Sequence, residues 1–201
     1  MILEGNKVRL RPKRLSDALN DHLWRGDPEL AKLDAAVPLG QSFASYLLDY
    51  AEELRLPDCN NFRFAIETAE GRHIGNCSYY NLDPGHKEVE IGIVIGDRDY
   101  WSKGYGTDSV STLLGHLFEE KGLVTVYLRS LDWNTRAHRC FEKAGFTQHD
   151  RSQSNGHCFF LFRCKRAEWE ELRKPAEEAS QRGEASVSPS LRAKRSNLST
   201  P

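Results

Sequence analysis

The stretch from Glu88 to Val110 most constrains the fold of this chain, because it reads as a strand, a glycine loop and a helix in direct succession. Branched apolar residues alternate through its first part, which is the period of a strand with one buried face. Beyond the loop that holds Gly104 and Gly106, apolar residues recur at the spacing of one helix face, namely Val110, Leu113, Leu114, Leu117 and Phe118. A helix that starts at a glycine loop offers unpaired backbone N–H groups and the positive end of its dipole. The stretch therefore predicts a site for an anion, most often a phosphate.

The residues of this loop exclude two common nucleotide-binding motifs. A Walker loop ends in Gly-Lys-Ser/Thr, whereas this loop ends in Gly106-Thr107-Asp108. A dinucleotide fingerprint requires another glycine three residues after Gly106, and that position is Ser109. The phosphate must therefore belong to a different kind of ligand.

The composition is that of one globular domain followed by a polar tail. Of the 201 residues, 39% are hydrophobic, which is enough for a sizeable core. The net charge of −1 gives no reason to expect nucleic acid or an anionic membrane as a partner. The apolar runs are too short for a membrane span, and the first residues contain no signal-peptide core. We therefore expect a cytoplasmic domain over residues 1–172 and a disordered tail over residues 173–201.

The cysteines and histidines predict neither a disulfide framework nor a metal site. The cysteines are odd in number, and none has the CxxC spacing of a zinc ligand pair. We expect reduced and mostly buried thiols at Cys59, Cys77, Cys140, Cys158 and Cys164. The seven histidines are scattered and show no triad spacing, so we expect them to have packing or surface roles.

Strand and helix patterns follow one another along the chain in an α/β (α+β) order. The pattern predicts a central mixed sheet of about six to seven strands flanked by helices. A helix joins the strand at Glu88–Ile95 to the next strand, so these two strands should be parallel. We expect the apolar strand His157–Lys165, which follows a polar turn at Ser152–Gly156, to be central in the sheet or well covered. The predicted strands are Val8–Arg11, Phe62–Thr68, Arg72–Tyr80, Glu88–Ile95, Leu123–Ser130 and His157–Lys165; the predicted helical segments are Asn20–Asp58, Thr107–Lys121 and Asn134–Ala144.

Two motifs in this order resemble those of the GNAT N-acetyltransferase superfamily. The segment Trp101–Thr107, WSKGYGT, is similar to the family's pyrophosphate loop, Gln/Arg-x-x-Gly-x-Gly/Ala. The segment Asn134–Phe146, NTRAHRCFEKAGF, is similar to its second motif, Asn-x-x-Ala-x-x-x-Tyr-Glu-Lys-x-Gly-Phe. The resemblance spans the chain from Lys7 to Leu172, and both ends of that span are similar to the ribosomal-protein alanine acetyltransferases (RimJ and RimL type). The implied structure is the GNAT acyl-CoA N-acyltransferase fold.

The resemblance implies direct transfer of an acetyl group from acetyl-CoA to a primary amine, most readily a protein N-terminal α-amino group, without a metal. It implies that the backbone of residues 103–107 holds the pyrophosphate, since a Cβ at Gly104 or Gly106 would block that approach. It also implies that the pantetheine arm pairs with Ile93–Ile95, and that the N–H of Val94 or of a neighbour stabilises the oxyanion. The implied cosubstrate-binding residues are Ile93, Val94, Ile95, Trp101, Ser102, Lys103, Gly104, Tyr105, Gly106, Thr107, Asn134 and Phe141. Asn134 is equally well explained as a helix N-cap.

Glu90 is the candidate general base, and Phe141 is a departure from the family pattern. Glu90 precedes Val94 on the same strand face by about 13 Å, a distance that water can bridge. Its alternative role is that of an ion-pair partner within the sheet. Phe141 stands where the family usually has a tyrosine that protonates the departing thiolate. Because a thiol has a pKa of about 8.5, it can leave as thiolate and be protonated by water.

Two further functions remain open. One is acetylation of a small-molecule amine of the polyamine or aminoglycoside type, and the other is coenzyme A binding without turnover. Asp27, Glu29 and Asp34 could attract a cationic amine or could be ordinary acids near a helix start. The oligomeric state is open between monomer and homodimer.

Overall fold

The computed structural model describes residues 1–56 and 61–173 as one mixed sheet with helices on its faces. This confirms the predicted α/β architecture, although the sheet has eight strands, slightly more than expected. The strands are β1 (Leu3–Glu4), β2 (Val8–Pro12), β3 (Phe62–Thr68), β4 (His73–Asp83), β5 (Glu88–Ile95), β6 (Thr125–Leu131), β7 (Thr147–Ser154) and β8 (His157–Lys165). The helices are α1 (Ala18–Gly26), α2 (Pro28–Leu33), α3 (Phe43–Arg55), α4 (Tyr105–Gly115) and α5 (Thr135–Lys143), followed by α6 over residues 166–173. The predicted tail beyond Arg173, and Cys59, lie outside the described residues.

The strand order is β1-β2-β3-β4-β5-β6-β8-β7, and the pair β5–β6 is parallel, as predicted. These two strands share a ladder only at Glu88–Thr125, Val89–Val126 and Glu90–Tyr127. Beyond Glu90, β5 continues to Ile95 beside β4, whereas β6 continues beside β8. The two parallel strands therefore diverge, and a gap opens in the middle of the sheet.

The main core lies between the sheet and α4. Val89 and Ile91 from one face of β5 pack with Val110, Leu113 and Leu114 from the apolar stripe of α4. Each of these side chains is at most 2% exposed, and burying such a side chain contributes about 1.5–3 kcal/mol. This packing fixes the start of α4 against the end of β5.

A buried ionic cluster fastens the N-terminal helices to the opposite face of the sheet. Arg11 donates two hydrogen bonds to Asp17, each of 2.8 Å, and one of 2.9 Å to Glu67. Lys13 pairs with Asp21 of α1 at 2.8 Å. Because removing one partner of a buried ion pair costs about 3–5 kcal/mol, the cluster holds α1, and with it α2, in a defined place over the sheet.

The C-terminal hairpin corrects two predictions. The expected polar turn over Ser152–Gly156 is largely strand β7, and the turn itself comprises Asn155 and Gly156, with φ of 49° and 77°. Strand β8 is second from the edge and not central, and most of its apolar residues are half-buried, with only Phe162 and Cys164 buried. All eight residues of β7 are exposed, so the strand lacks the alternation that reveals a half-buried strand.

The predicted helix Thr107–Lys121 is divided into two parts. The α-helical part, α4, begins at Tyr105 and ends at Gly115, and a single π-helical turn follows over His116–Glu120. The described cysteines are free thiols; Cys77 and Cys164 are buried, whereas Cys140 and Cys158 are partly exposed.

Candidate functional site

The gap between β5 and β6 opens into a cavity of about 420 Å³. Its walls come from the end of β5, the loop before α4, the first turn of α4, helix α5 and the end of α2. The cavity brings together most of the predicted site residues: Ile93, Val94, Ile95, Trp101, Ser102, Gly104, Gly106, Thr107, Asn134 and Phe141. The predicted residues Glu90, Lys103 and Tyr105 are not among its lining residues.

The glycine loop ends in a helix N-terminus that opens towards the cavity. Gly104 is the N-cap of α4 and has a φ of 87°, a left-handed conformation that favours glycine. A Cβ on Gly106 would lie 3.3 Å from the Cys140 sulfur and 3.7 Å from the Ile95 side chain. The N–H groups of the first turn have no partner within the helix, so residues 105–107 present donors beside the cavity.

Lys7 adds a cation to this loop that the sequence did not reveal. Its ammonium group donates a hydrogen bond of 3.0 Å to the Lys103 carbonyl. The same group lies 3.5 Å from the position that a Cβ on Gly104 would take. Three backbone N–H groups of residues 6–8 bind the Asp108 carboxylate, which ties this N-terminal turn to α4.

Trp101 links β5 to α5 at the position where the family pattern has Gln or Arg. Its indole N–H donates a hydrogen bond of 2.6 Å to the Ile95 carbonyl. The Arg136 guanidinium stacks on the indole, 3.5 Å from the ring centroid. Partial burial lowers the pKa of Arg136, yet a guanidinium stays charged near neutral pH. Trp101 thus holds an arginine of α5 at the cavity in place of the missing Gln or Arg.

Helix α5 contributes two more cations that sequence reasoning missed. Arg139 and Lys143 line the cavity together with Arg136. The three residues are three and four residues apart, so the sequence alone could have predicted that they share one face of the helix. Asn134 caps α5, because its side chain accepts a hydrogen bond of 3.3 Å from the Ala137 N–H. Asn134 therefore both caps α5 and lines the cavity.

The backbone groups of β5 that face the gap follow from the pairing with β4. The Gly96 N–H donates a hydrogen bond of 3.0 Å to the Ile74 carbonyl. Antiparallel pairing alternates along a strand, so the N–H of Val94 also faces β4. The N–H groups of Ile93 and Ile95 consequently face the gap, where β6 no longer pairs with β5. Of Val94 and its neighbours, these two have the orientation that an oxyanion donor needs.

Glu90 is buried beside the point where the strands diverge. It is 3% exposed, and its carboxylate accepts hydrogen bonds from Arg129 at 2.9 Å and from Asn81 at 3.0 Å. Burial, followed by the charge of Glu90, raises the pKa of the Tyr80 hydroxyl. The ion-pair arrangement considered above is thus present, and the role of Glu90 as a base stays a prediction.

Phe141 lines the cavity as an aromatic wall that has no proton to transfer. It is 6% exposed, and its ring lies 5.8 Å from that of Phe162 and 6.2 Å from that of Phe146. The cavity surface at this position is therefore apolar.

The structure separates the three acids of the helical segment. Asp27 caps α2 and pairs with Arg98 at 2.8 Å, and Glu29 pairs with the same arginine at 2.9 Å. The Leu30 N–H and the Arg98 guanidinium hold the pKa of Asp27 below its usual value. Asp34 instead lines the cavity. Burial raises the pKa of the Asp34 carboxyl, an effect that Arg25 only partly offsets.

The part of the chain that the structure describes contains no group of three His, Cys, Asp or Glu side chains arranged to hold a metal. No helix within that part is both long and apolar enough to cross a membrane.

A family comparison matches most of the described chain. Residues 7–147 fit the family model described as Acetyltransferase (GNAT) domain. This range includes the glycine loop, the gap between β5 and β6, and helix α5.

Solved structures show the same fold at low sequence identity. The spermidine N-acetyltransferase of Vibrio cholerae, in complex with CoA and spermine, has a TM-score of 0.71 and 18% identity over 81% of this chain and 98% of its own. The aminoglycoside acetyltransferase AAC(6')-Ib, with coenzyme A and kanamycin, has a TM-score of 0.68 and 19% identity over 83% of this chain and 99% of its own. A GNAT-family acetyltransferase of Bacillus anthracis has a TM-score of 0.68 and 17% identity over 82% of this chain and 98% of its own.

Proposed function

Because the chain belongs to the GNAT acetyltransferase family, we propose that it transfers an acetyl group from acetyl-CoA to a primary amine of a small molecule. The observation that carries this proposal is the cavity at the gap between β5 and β6, which is lined by ten of the thirteen predicted site residues. Two of the structural neighbours named above carry small amine acceptors in their names. An acceptor at a protein N-terminus, as in the RimJ and RimL branch, stays a prediction that none of these neighbours supports.

The cosubstrate end of the cavity would be the side formed by α4 and α5. The N–H groups at the start of α4, together with Lys7 and Arg136, offer donors and positive charge to a pyrophosphate. The pantetheine arm would lie in the gap beside Ile93 and Ile95. The Ile95 carbonyl already accepts a hydrogen bond from Trp101. On the gap side of β5, the groups left to bind the pantetheine arm would be the N–H of Ile95 and the N–H and carbonyl of Ile93.

The chemistry is a direct attack of the neutral amine on the thioester carbonyl. Negative charge develops on the carbonyl oxygen, and a fixed N–H on the gap side of β5 can stabilise it. Once the C–N bond has formed, the nitrogen carries a positive charge and loses a proton to water. The C–S bond then breaks, and the thiolate leaves with the electron pair of that bond. Phe141 cannot protonate that thiolate, and water can do so because a thiol has a pKa of about 8.5.

The amine must lose a proton to become nucleophilic. Glu90 would take this proton through water that enters the gap between the diverging strands. Its carboxylate is held by Arg129 and Asn81, so a water chain and not direct contact would connect it to the amine. An alkyl amine with a pKa of about 10.4 needs this assistance more than an α-amino group of about 8.

A thiol-release assay with a panel of acceptors tests the proposal. The panel comprises putrescine, spermidine, kanamycin and a peptide with a free N-terminal alanine, each mixed with acetyl-CoA and the full chain. We expect acceptor-dependent thiol release with at least one small amine. Release with the peptide alone would favour the N-terminal acetyltransferase reading. Binding of coenzyme A without thiol release in the presence of any acceptor would favour a domain without turnover. Such a domain would be consistent with phenylalanine, and not tyrosine, at position 141.

A further inference from the structure

The cavity has side chains of both charges among its lining residues. Arg136, Arg139 and Lys143 line it from α5, whereas Asp34 at the end of α2 is the one carboxylate among its lining residues. The cations lie on the side assigned above to the phosphates of the cosubstrate. A polycationic acceptor would be repelled from that side and attracted towards Asp34.

Asp34 differs from its neighbouring acids because, within the described residues, no cation lies within ion-pair distance of it. Asp27 and Glu29 share Arg98. Among residues 1–56 and 61–173, no ion pair or hydrogen bond involves the Asp34 carboxylate. Its side chain is accessible to solvent, yet the surrounding protein raises its pKa. Because Asp34 lines the cavity without an ion-pair partner, its carboxylate is available to a bound cation, whereas Asp27 and Glu29 are already paired.

We infer that Asp34 binds a second cationic group of the acceptor, so that the acceptor class is a diamine or a longer polyamine. The inference rests on the proposed function and narrows its substrate class. One amine of such an acceptor would reach the acetyl group at the β5 side of the cavity while the other pairs with Asp34. Aminoglycosides also carry several ammonium groups. Kanamycin in the thiol-release panel distinguishes an aminoglycoside acceptor from an aliphatic diamine or polyamine.

The test compares Asp34→Asn with Glu29→Gln. Both substitutions remove one carboxylate charge from α2 or its end, but only Asp34 lines the cavity. The acceptors are putrescine, spermidine and n-butylamine, the last of which resembles putrescine without its second charge. A charged hydrogen bond to the acceptor corresponds to about a 10- to 100-fold change in affinity.

We expect wild-type protein to prefer putrescine over n-butylamine by about tenfold or more in kcat/KM. Asp34→Asn should raise the KM for putrescine and spermidine by a similar factor and abolish that preference, whereas the KM for acetyl-CoA stays unchanged. Glu29→Gln should retain the preference. An unchanged KM for the diamines in Asp34→Asn would overturn the inference, and so would equal use of both amines by wild-type protein. Absence of thiol release by wild-type protein with every acceptor would instead reject the proposed function.

A stability measurement separates loss of binding from loss of folding. The pKa of Asp34 is raised in the folded chain, so its ionised form is disfavoured there relative to the unfolded chain. The stability that this shift contributes is complete below the ordinary aspartate pKa and is lost as pH rises through the raised pKa. At neutral pH Asp34→Asn removes a disfavoured charge, so its Tm should be equal to or higher than that of wild-type protein. A lowered Tm together with a raised KM for acetyl-CoA would show damage to the fold and contradict the assigned role.

Discussion

Glu90→Gln is the substitution that best distinguishes a general base from a structural ion pair. Gln has the same shape as Glu but cannot accept a proton at neutral pH. In the wild-type chain the Glu90 carboxylate accepts from Arg129 and Asn81 at 2.9 and 3.0 Å. The amide oxygen of Gln can keep one of these bonds, and its NH₂ group would face the other donor.

The two roles predict effects of different size. A general base contributes about 10²–10⁴-fold to a rate, so we expect kcat at pH 7 to fall about 100-fold with a small alkyl amine. The cost in stability should be modest, because the Arg129 side chain is 50% exposed and stays hydrated after its partner is lost. Loss of a charged hydrogen bond costs about 1–3 kcal/mol, which lowers Tm by about 2–4 °C per kcal/mol.

The assay is thiol release at saturating acetyl-CoA between pH 7 and 10, combined with thermal unfolding. The loss of kcat should shrink as pH rises, since more of the amine is then neutral without assistance. Glu88→Gln, which makes the same change at a half-buried position of the same strand, is the matched control and should retain kcat. If Glu90→Gln keeps its kcat at pH 7 while its Tm falls, Glu90 is a structural partner of Arg129 and the proposed proton path is wrong.

Gly106→Val should abolish coenzyme A binding, because even its Cβ would lie 3.3 Å from the Cys140 sulfur and its methyl groups would enter the cavity. Calorimetry measures this affinity, and a wild-type value would contradict the assignment of the loop to the pyrophosphate. Phe141→Tyr places a hydroxyl in the cavity wall where the family pattern has one. We expect it to raise kcat a few-fold if protonation of the thiolate limits the rate, and an unchanged kcat with a normal Tm would show that water already suffices.

The local part of the site could be predicted from the sequence because its signals are contiguous. The alternation in Glu88–Ile95, the glycines of the loop and the stripe on α4 each lie within one element. The resulting predictions of a parallel β5–β6 pair and of the sheet and helices round it are confirmed. The structure adds the gap between these two strands, which begins after Glu90.

Other features depend on tertiary packing and lack a local signal. The positions of Arg136 and Asp34 at the cavity, and of Lys7 beside the glycine loop, depend on how distant parts of the chain meet. Nothing in the sequence distinguishes these charged residues from others, and the sequence analysis treated Asp34 and Asp27 alike. In the structure Asp27 pairs with Arg98, whereas Asp34 lines the cavity, and both arrangements join positions that are distant in the chain.

The missed strand β7 had one readable signal. Asn155-Gly156 is the residue pair that favours a two-residue hairpin turn, because both residues adopt positive φ readily. The polar sequence before it concealed the strand, since an edge strand exposed on both faces need not alternate. Turn chemistry would therefore have identified this hairpin where hydrophobic periodicity did not.

The most direct test of the central claim is mass spectrometry of the acceptor after incubation with acetyl-CoA and the full chain. The account predicts that a small amine, putrescine or spermidine first, gains one acetyl group in step with the release of one coenzyme A thiol. Gly106→Val is the negative control and should give neither product. If wild-type protein binds coenzyme A but acetylates none of the small amines, the proposed acceptor is wrong, and acetylation of the peptide N-terminus alone would identify the alternative.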